Sequence, residues 1–144
     1  MKPARTILTL LLAHLLMVGV TGGSLGCGSG DGDDDENIGR LRPGESEEVE
    51  LNVFVADPIF LDECEDAFIV DINGPDGDAS DVIDAEITDF VSKTARGECE
   101  TDVTITVGED APAGRYEIEV EFLYELIDDD EEEESGFIEF RVVR

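Results

Sequence analysis

Apolar and polar residues alternate at period two along much of the chain beyond residue 46. From Glu47 to Val55, the residues Val49, Leu51, Val53 and Val55 are interleaved with Glu48, Glu50, Asn52 and Phe54. From Tyr116 to Leu126, Tyr116, Ile118, Val120, Phe122, Tyr124 and Leu126 alternate with Glu117, Glu119, Glu121, Leu123 and Glu125. The same spacing recurs at Val103, Ile105 and Val107, and at Ile138, Phe140 and Val142. Successive side chains of a strand point to opposite faces, so this spacing predicts half-buried strands with acids on the wet face. Phe68, Val70 and Ile72 read as a further inward-facing set. Asp81 to Lys93 fits either a strand or a short helix, and no stretch beyond Cys27 carries a clear helical period.

Turn-forming residues separate these runs. Arg42-Pro43-Gly44-Glu45 precedes the first long strand, Asn73-Gly74-Pro75-Asp76-Gly77-Asp78 follows the Phe68 run, and Ala111-Pro112-Ala113-Gly114 precedes Tyr116. Six or seven short strands between Ile38 and Val143 with no intervening helices predict an all-β protein, an antiparallel β-sandwich. The string Asp110-Ala111-Pro112-Ala113-Gly114-Arg115-Tyr116-Glu117-Ile118, with Leu41-Arg42-Pro43-Gly44-Glu45 before the first strand, resembles the bacterial immunoglobulin-like modules of envelope and extracellular proteins. The resemblance covers Ile38 to Arg144 and implies an immunoglobulin-like sandwich in which Tyr116 acts as a tyrosine corner, its hydroxyl bonding back to the preceding loop. The Trp and the inter-sheet cysteine pair of antibody domains are expected to be missing.

The N-terminus has a different pattern. Lys2 and Arg5 precede a run of 15 largely apolar residues, Thr6 to Val20, and a small-residue segment follows as far as Gly26. A bilayer core needs about 20 residues, so the run reads as a signal peptide and not as a membrane span. Ser24-Leu25-Gly26-Cys27 resembles a bacterial lipobox. That resemblance implies cleavage before Cys27, acylation of Cys27, and attachment to the cell envelope by lipid, with Gly28 in the next position favouring the outer membrane or cell surface over the inner membrane. Ordinary secretory cleavage near Gly26 is the alternative. The expected organisation is a signal peptide over 1–26, an acidic tether over 27–37 and a sandwich domain over 38–144.

Charge narrows the function. The chain carries 38 Asp and Glu against 9 Lys and Arg; with the signal removed, 38 acids face seven bases, an excess of about 31 negative charges. Phosphate recognition depends on Lys and Arg, so nucleic acid is excluded as a partner. The only histidine, His14, lies in the signal, which removes Ser-His and Cys-His hydrolysis from consideration. Carboxylate-pair glycoside hydrolysis finds little support in a small sandwich with few aromatic residues. No enzyme activity is expected.

With Cys27 acylated, Cys64 and Cys99 remain as an even pair in an exported chain and are expected to form a disulfide joining the loops before the Phe68 and Val103 strands. Three acidic clusters stand out: Asp31 to Glu36, Asp76 to Asp84, and Asp128 to Glu134, the last read as a hairpin loop open to solvent or to a basic partner. Asp76, Asp78, Asp81 and Asp84 are candidate ligands for weakly bound Ca²⁺, although Asp81 occupies the position at which an EF-hand requires Gly. No other cofactor is expected. Arg141 is expected to face a glutamate across the last hairpin, and Phe54, Leu123 and Phe137 would mark an assembly surface if they formed one patch. The reading is a lipid-anchored envelope protein with a non-enzymatic binding, adhesion or structural module. Its alternatives are an acidic Ca²⁺-binding domain or a small subunit of an envelope assembly.

Overall fold

A computed structural model describes residues 35–144. The signal peptide, Cys27 and the tether as far as residue 34 lie outside the described residues. Eight strands follow in order: β1 (Asp35–Leu41), β2 (Ser46–Phe54), β3 (Leu61–Gly74), β4 (Gly77–Asp78), β5 (Ile83–Lys93), β6 (Glu98–Val107), β7 (Gly114–Leu126) and β8 (Glu131–Val142). A single 3₁₀ turn, Thr94–Arg96, joins β5 to β6. One sheet has the order β1-β8-β7-β3-β4 and the other β2-β6-β5, giving the immunoglobulin-like β-sandwich.

The alternation places the core. Val49, Leu51 and Val53 of β2, Val103, Ile105 and Val107 of β6, and Ile118, Val120 and Phe122 of β7 are buried between the sheets, with Ile138, Phe140 and Val142 of β8. Tyr116 is buried and its ring stacks on that of Phe140 at 5.4 Å between centroids. Its hydroxyl donates to the Pro112 carbonyl oxygen at 2.7 Å, so the tyrosine corner is formed. The buried Thr101 hydroxyl is satisfied by the Asp89 carbonyl at 2.6 Å, next to a register shift in β5 between Ile87 and Asp89.

Four expectations are corrected. In β3 the inward set is Leu61, Cys64 and Ala67, with Ile69 and Ile72 packed against the core, while Phe68 and Val70 are 38% and 44% exposed. Three register shifts against β7, at Leu61/Glu63, Cys64/Asp66 and Ile69/Asp71, break the period-two rule there. Second, Asp35 to Asn37 belong to β1, which pairs in parallel with β8, so those residues of the expected tether are strand. With the two-residue β4, this strand raises the number to eight. Third, four of the acids expected in the last loop, Glu131 to Glu134, are exposed residues of β8, whereas Asp81 to Lys93, open to two readings, is a strand from Ile83 onward, one of the two.

The fourth concerns the disulfide. Cys64 and Cys99 are bonded, with Cα atoms 5.8 Å apart, but both stand within strands. The bond therefore crosses between the sheets, from β3 to β6, where an antibody domain bridges the strands that correspond to β2 and β7. Closing a loop with a sequence separation of 35 stabilises the fold by roughly 3–4 kcal/mol on the chain-entropy account.

Candidate functional site

Three loops share one end of the sandwich, called the tip here: the β2–β3 loop, the β5–β6 turn and the β7–β8 turn. Asp57 shapes the first. Its carboxylate accepts from the Ile59 N–H at 3.1 Å, and its carbonyl accepts from Phe60 and Leu61 at 2.8 and 3.2 Å. This Asx-type turn leaves Ile59 and Phe60 facing solvent. The Ile127 N–H donates to the Phe60 carbonyl at 2.9 Å, which brings the β7–β8 turn alongside. Ile59, Phe60 and Ile127 are 68%, 52% and 61% exposed, so two hydrogen-bonded loops present three large apolar residues to water.

Gly97 closes the tip on the other sheet. Its carbonyl accepts from Val55 at 2.9 Å, and its φ of +69° lies in the left-handed region. A Cβ at that position would lie 1.9 Å from the Ala56 carbonyl oxygen, so only glycine fits. Nearby, the Ser92 hydroxyl accepts from the Cys64 N–H at 2.9 Å, tying β3 to β5 beside the disulfide.

Acids surround the apolar group. Cross-strand register places Glu63, Glu125 and Glu131 in one row over β3, β7 and β8. Desolvation, followed by the negative charges of Glu65, Asp129, Asp62 and Glu63, raises the Glu125 carboxyl above the ordinary range. Beneath it the Tyr124 hydroxyl bonds to Glu132 at 3.0 Å; burial first, then that bond, push its pKa up to about 12. On the second sheet Asp102 is also raised, by desolvation and then by Glu48, Asp89, Glu50 and Glu100.

The residues expected to bind Ca²⁺ lie at the other end, the base. Asp76 is in the β3–β4 turn, Asp78 in β4, Asp81 in the following loop and Asp84 in β5. Asp78 accepts from the Ser80 N–H at 2.9 Å, and Ser80 lowers its carboxyl below the ordinary value. Among the described residues no group of three or more His, Cys, Asp or Glu side chains gathers closely enough to hold a metal. Phe54, Leu123 and Phe137 do not form one patch: Phe54 belongs to the three-stranded sheet, and the other two to the five-stranded one.

Arg141 differs from expectation. Its partners in register are Arg115 on β7 and Arg40 on β1, so three guanidinium side chains, not a guanidinium and a carboxylate, line up across the base of the five-stranded sheet. Arg115 turns to Glu139, an ion pair that raises its pKa. No periodicity along a single strand could have revealed either same-sign row, because each depends on the pairing of three strands.

No protein-family model matches the chain, and no curated protein matches it in sequence. Its fold does match solved structures. One is a family 123 glycoside hydrolase from Clostridium perfringens, at 12% identity and a TM-score of 0.51, over 77% of this chain and 23% of that one. Another is the secreted serine protease VesC from Vibrio cholerae, at 12% identity and a TM-score of 0.43, over 74% and 21%. This chain spans less than a quarter of either, and what the first likeness shows is the sandwich fold alone.

Proposed function

We propose that this protein is a bacterial envelope lipoprotein, acylated at Cys27, whose sandwich serves as a non-enzymatic binding module with the tip as its contact surface. The observation that carries the proposal is the exposed trio Ile59, Phe60 and Ile127, held together by the bond between the two loops and ringed by acids. Exposing this much apolar surface is unfavourable, and such patches usually mark an interaction site. The acids define the complement: an envelope protein with an apolar recess bordered by Lys and Arg, since complementary charge speeds encounter and rejects wrong partners. The signal sequence, the lipobox-like Ser24-Leu25-Gly26-Cys27 and a disulfide suited to an oxidising compartment support the location.

Two measurements test this. Mass spectrometry of the mature N-terminus is expected to find a lipid-modified Cys27; an unmodified N-terminus would remove the anchor from the reading. A photo-crosslinking residue at Ile127 is expected to capture one discrete envelope protein in intact cells, and the same residue at Glu48, on the outer face of β2, is expected to capture none. Equal yields from the two positions would remove the tip as the contact surface.

A further inference from the structure

The base of the five-stranded sheet holds an arrangement that the tip does not explain. Arg40, Arg141 and Arg115 lie directly opposite one another on β1, β8 and β7, and Leu41, Val142 and Tyr116, the next residues along, are buried. The three arginines therefore share the outer face, with strands about 4.8 Å apart. Like charges placed directly opposite destabilise a sheet. Relief was available in a chain with 38 acids, yet among the described residues neither Arg40 nor Arg141 is in an ion pair. Three of the seven bases that follow Cys27 thus stand in one row.

The row borders an open cavity of about 380 Å³ lined by Asn37, Gly39, Arg40, Arg115, Glu139, Phe140 and Arg141. That volume falls within the range of small-ligand sites. A β-bulge in β1 shapes it: the register shifts between Asn37 and Gly39, Gly39 has φ +84°, and its N–H donates to Asn37 Oδ1 at 3.0 Å. With Oδ1 occupied, the Asn37 side-chain NH₂ is left as a donor. Glu139 gives one oxygen to Arg115 and keeps its other as an acceptor.

We infer that this cavity is a binding site for an acidic saccharide, a sugar bearing a carboxylate or sulfate group. The chemistry divides between two sets of groups. Arg40 and Arg141, with planar forks of fixed donors, take the oxyanion. Glu139 accepts from ring hydroxyls, and the Asn37 NH₂ donates to them. A bare inorganic anion would use the first set only, and a neutral sugar the second only. A dense polyanion is repelled by the net charge of the whole chain, whereas a sugar with one charge per ring is much less so. The site stands independently of the lipid anchor and of the tip.

The test is a titration of the mature chain, followed through the arginine Nε–Hε resonances, with tri-galacturonate, maltotriose and sodium sulfate as separate probes. Tri-galacturonate is expected to shift the Arg40 and Arg141 signals saturably, sulfate to shift the same signals at least roughly tenfold more weakly, and maltotriose to shift neither. R40A/R141A, which alters only exposed side chains, is expected to keep the melting temperature within a few degrees and to weaken tri-galacturonate binding by at least about tenfold. N37A is expected to bring tri-galacturonate down towards the affinity for sulfate. Equal affinity for sulfate and tri-galacturonate in the unaltered chain would overturn the inference, as would tri-galacturonate binding that survives R40A/R141A.

Discussion

The two ends of the five-stranded sheet make the same electrostatic arrangement with opposite sign. At the tip, Glu63, Glu125 and Glu131 stand side by side; at the base, Arg40, Arg141 and Arg115 do. What differs is the means of holding them. The tip is secured by the β3–β6 disulfide and by Gly97, which together fix loops that the acids would otherwise push apart. Among the described residues the base has no covalent link; Tyr116 secures it through a stacked ring and one hydrogen bond to Pro112. Charge crowding is thus compatible with a fixed backbone at either end, and the acidic row lies at the end that also carries the covalent constraint.

The most forceful way to break this comparison is to remove the disulfide. C64A/C99A is expected to lose roughly 3–4 kcal/mol in urea denaturation, with amide exchange accelerating in residues 55–64 and 94–99 before it does so around Tyr116. Uniform acceleration along the chain would mean that the two ends are not separately held. Next in size is G97A, which forces a side chain into left-handed backbone and onto the Ala56 carbonyl. A loss of about 2–3 kcal/mol is expected, again sensed first at the tip. Y116F probes the base, where losing the bond to Pro112 is expected to cost about 1 kcal/mol and to mobilise residues 111–113 without affecting the tip.

The smallest effects sharpen the electrostatic half. E125Q relieves both its own row and the net charge, so it is expected to raise the melting temperature slightly at low salt. R141Q relieves its row but adds to the net negative charge, and a change near zero is expected. The gain from E125Q should vanish in 1 M salt, where the screening length is about 3 Å, and R141Q should stay level with the unaltered chain there too. The pH dependence has the matching sign. Glu125 and Asp102 have folded-state pKa values above their ordinary ones, so their protonated forms are favoured by folding, and stability rises as pH falls from neutrality through their titration range. Asp78, whose pKa is lowered, acts in the opposite sense and loses stability over the lower part of that range. Melting curves between pH 7 and pH 4 at low salt check the balance; a steady fall from pH 7 downward would contradict it.

Regular strands were legible from the chain, and irregular ones were not. β2 pairs with β6 without a single register shift, and its alternation places Val49, Leu51 and Val53 inward as read. β3 shifts register three times and carries the apolar run Ala67-Phe68-Ile69-Val70, in which either parity looks inward. β1 was illegible for a different reason. Asp35, Glu36 and Asn37 have the composition of a linker, and the neighbour that makes them strand, β8, lies a hundred residues away. The cysteine pairing followed from arithmetic, but which strands it joins depended on tertiary structure. The candidate surfaces were the least legible of all, because the apolar trio, the acid row and the arginine row each need residues from separate strands or loops.

The parallel pairing of β1 with β8 also has a mechanical consequence. A pull applied to Asp35 along the strand axis does not peel β1 away one hydrogen bond at a time. It loads the ladder from Asp35–Phe137 to Leu41–Val142 in shear, so several bonds must yield together. The strand at which the chain enters the sandwich is therefore built to bear tension, and the core behind it, with Leu41 and Val142 buried side by side, has to slide before the domain can open.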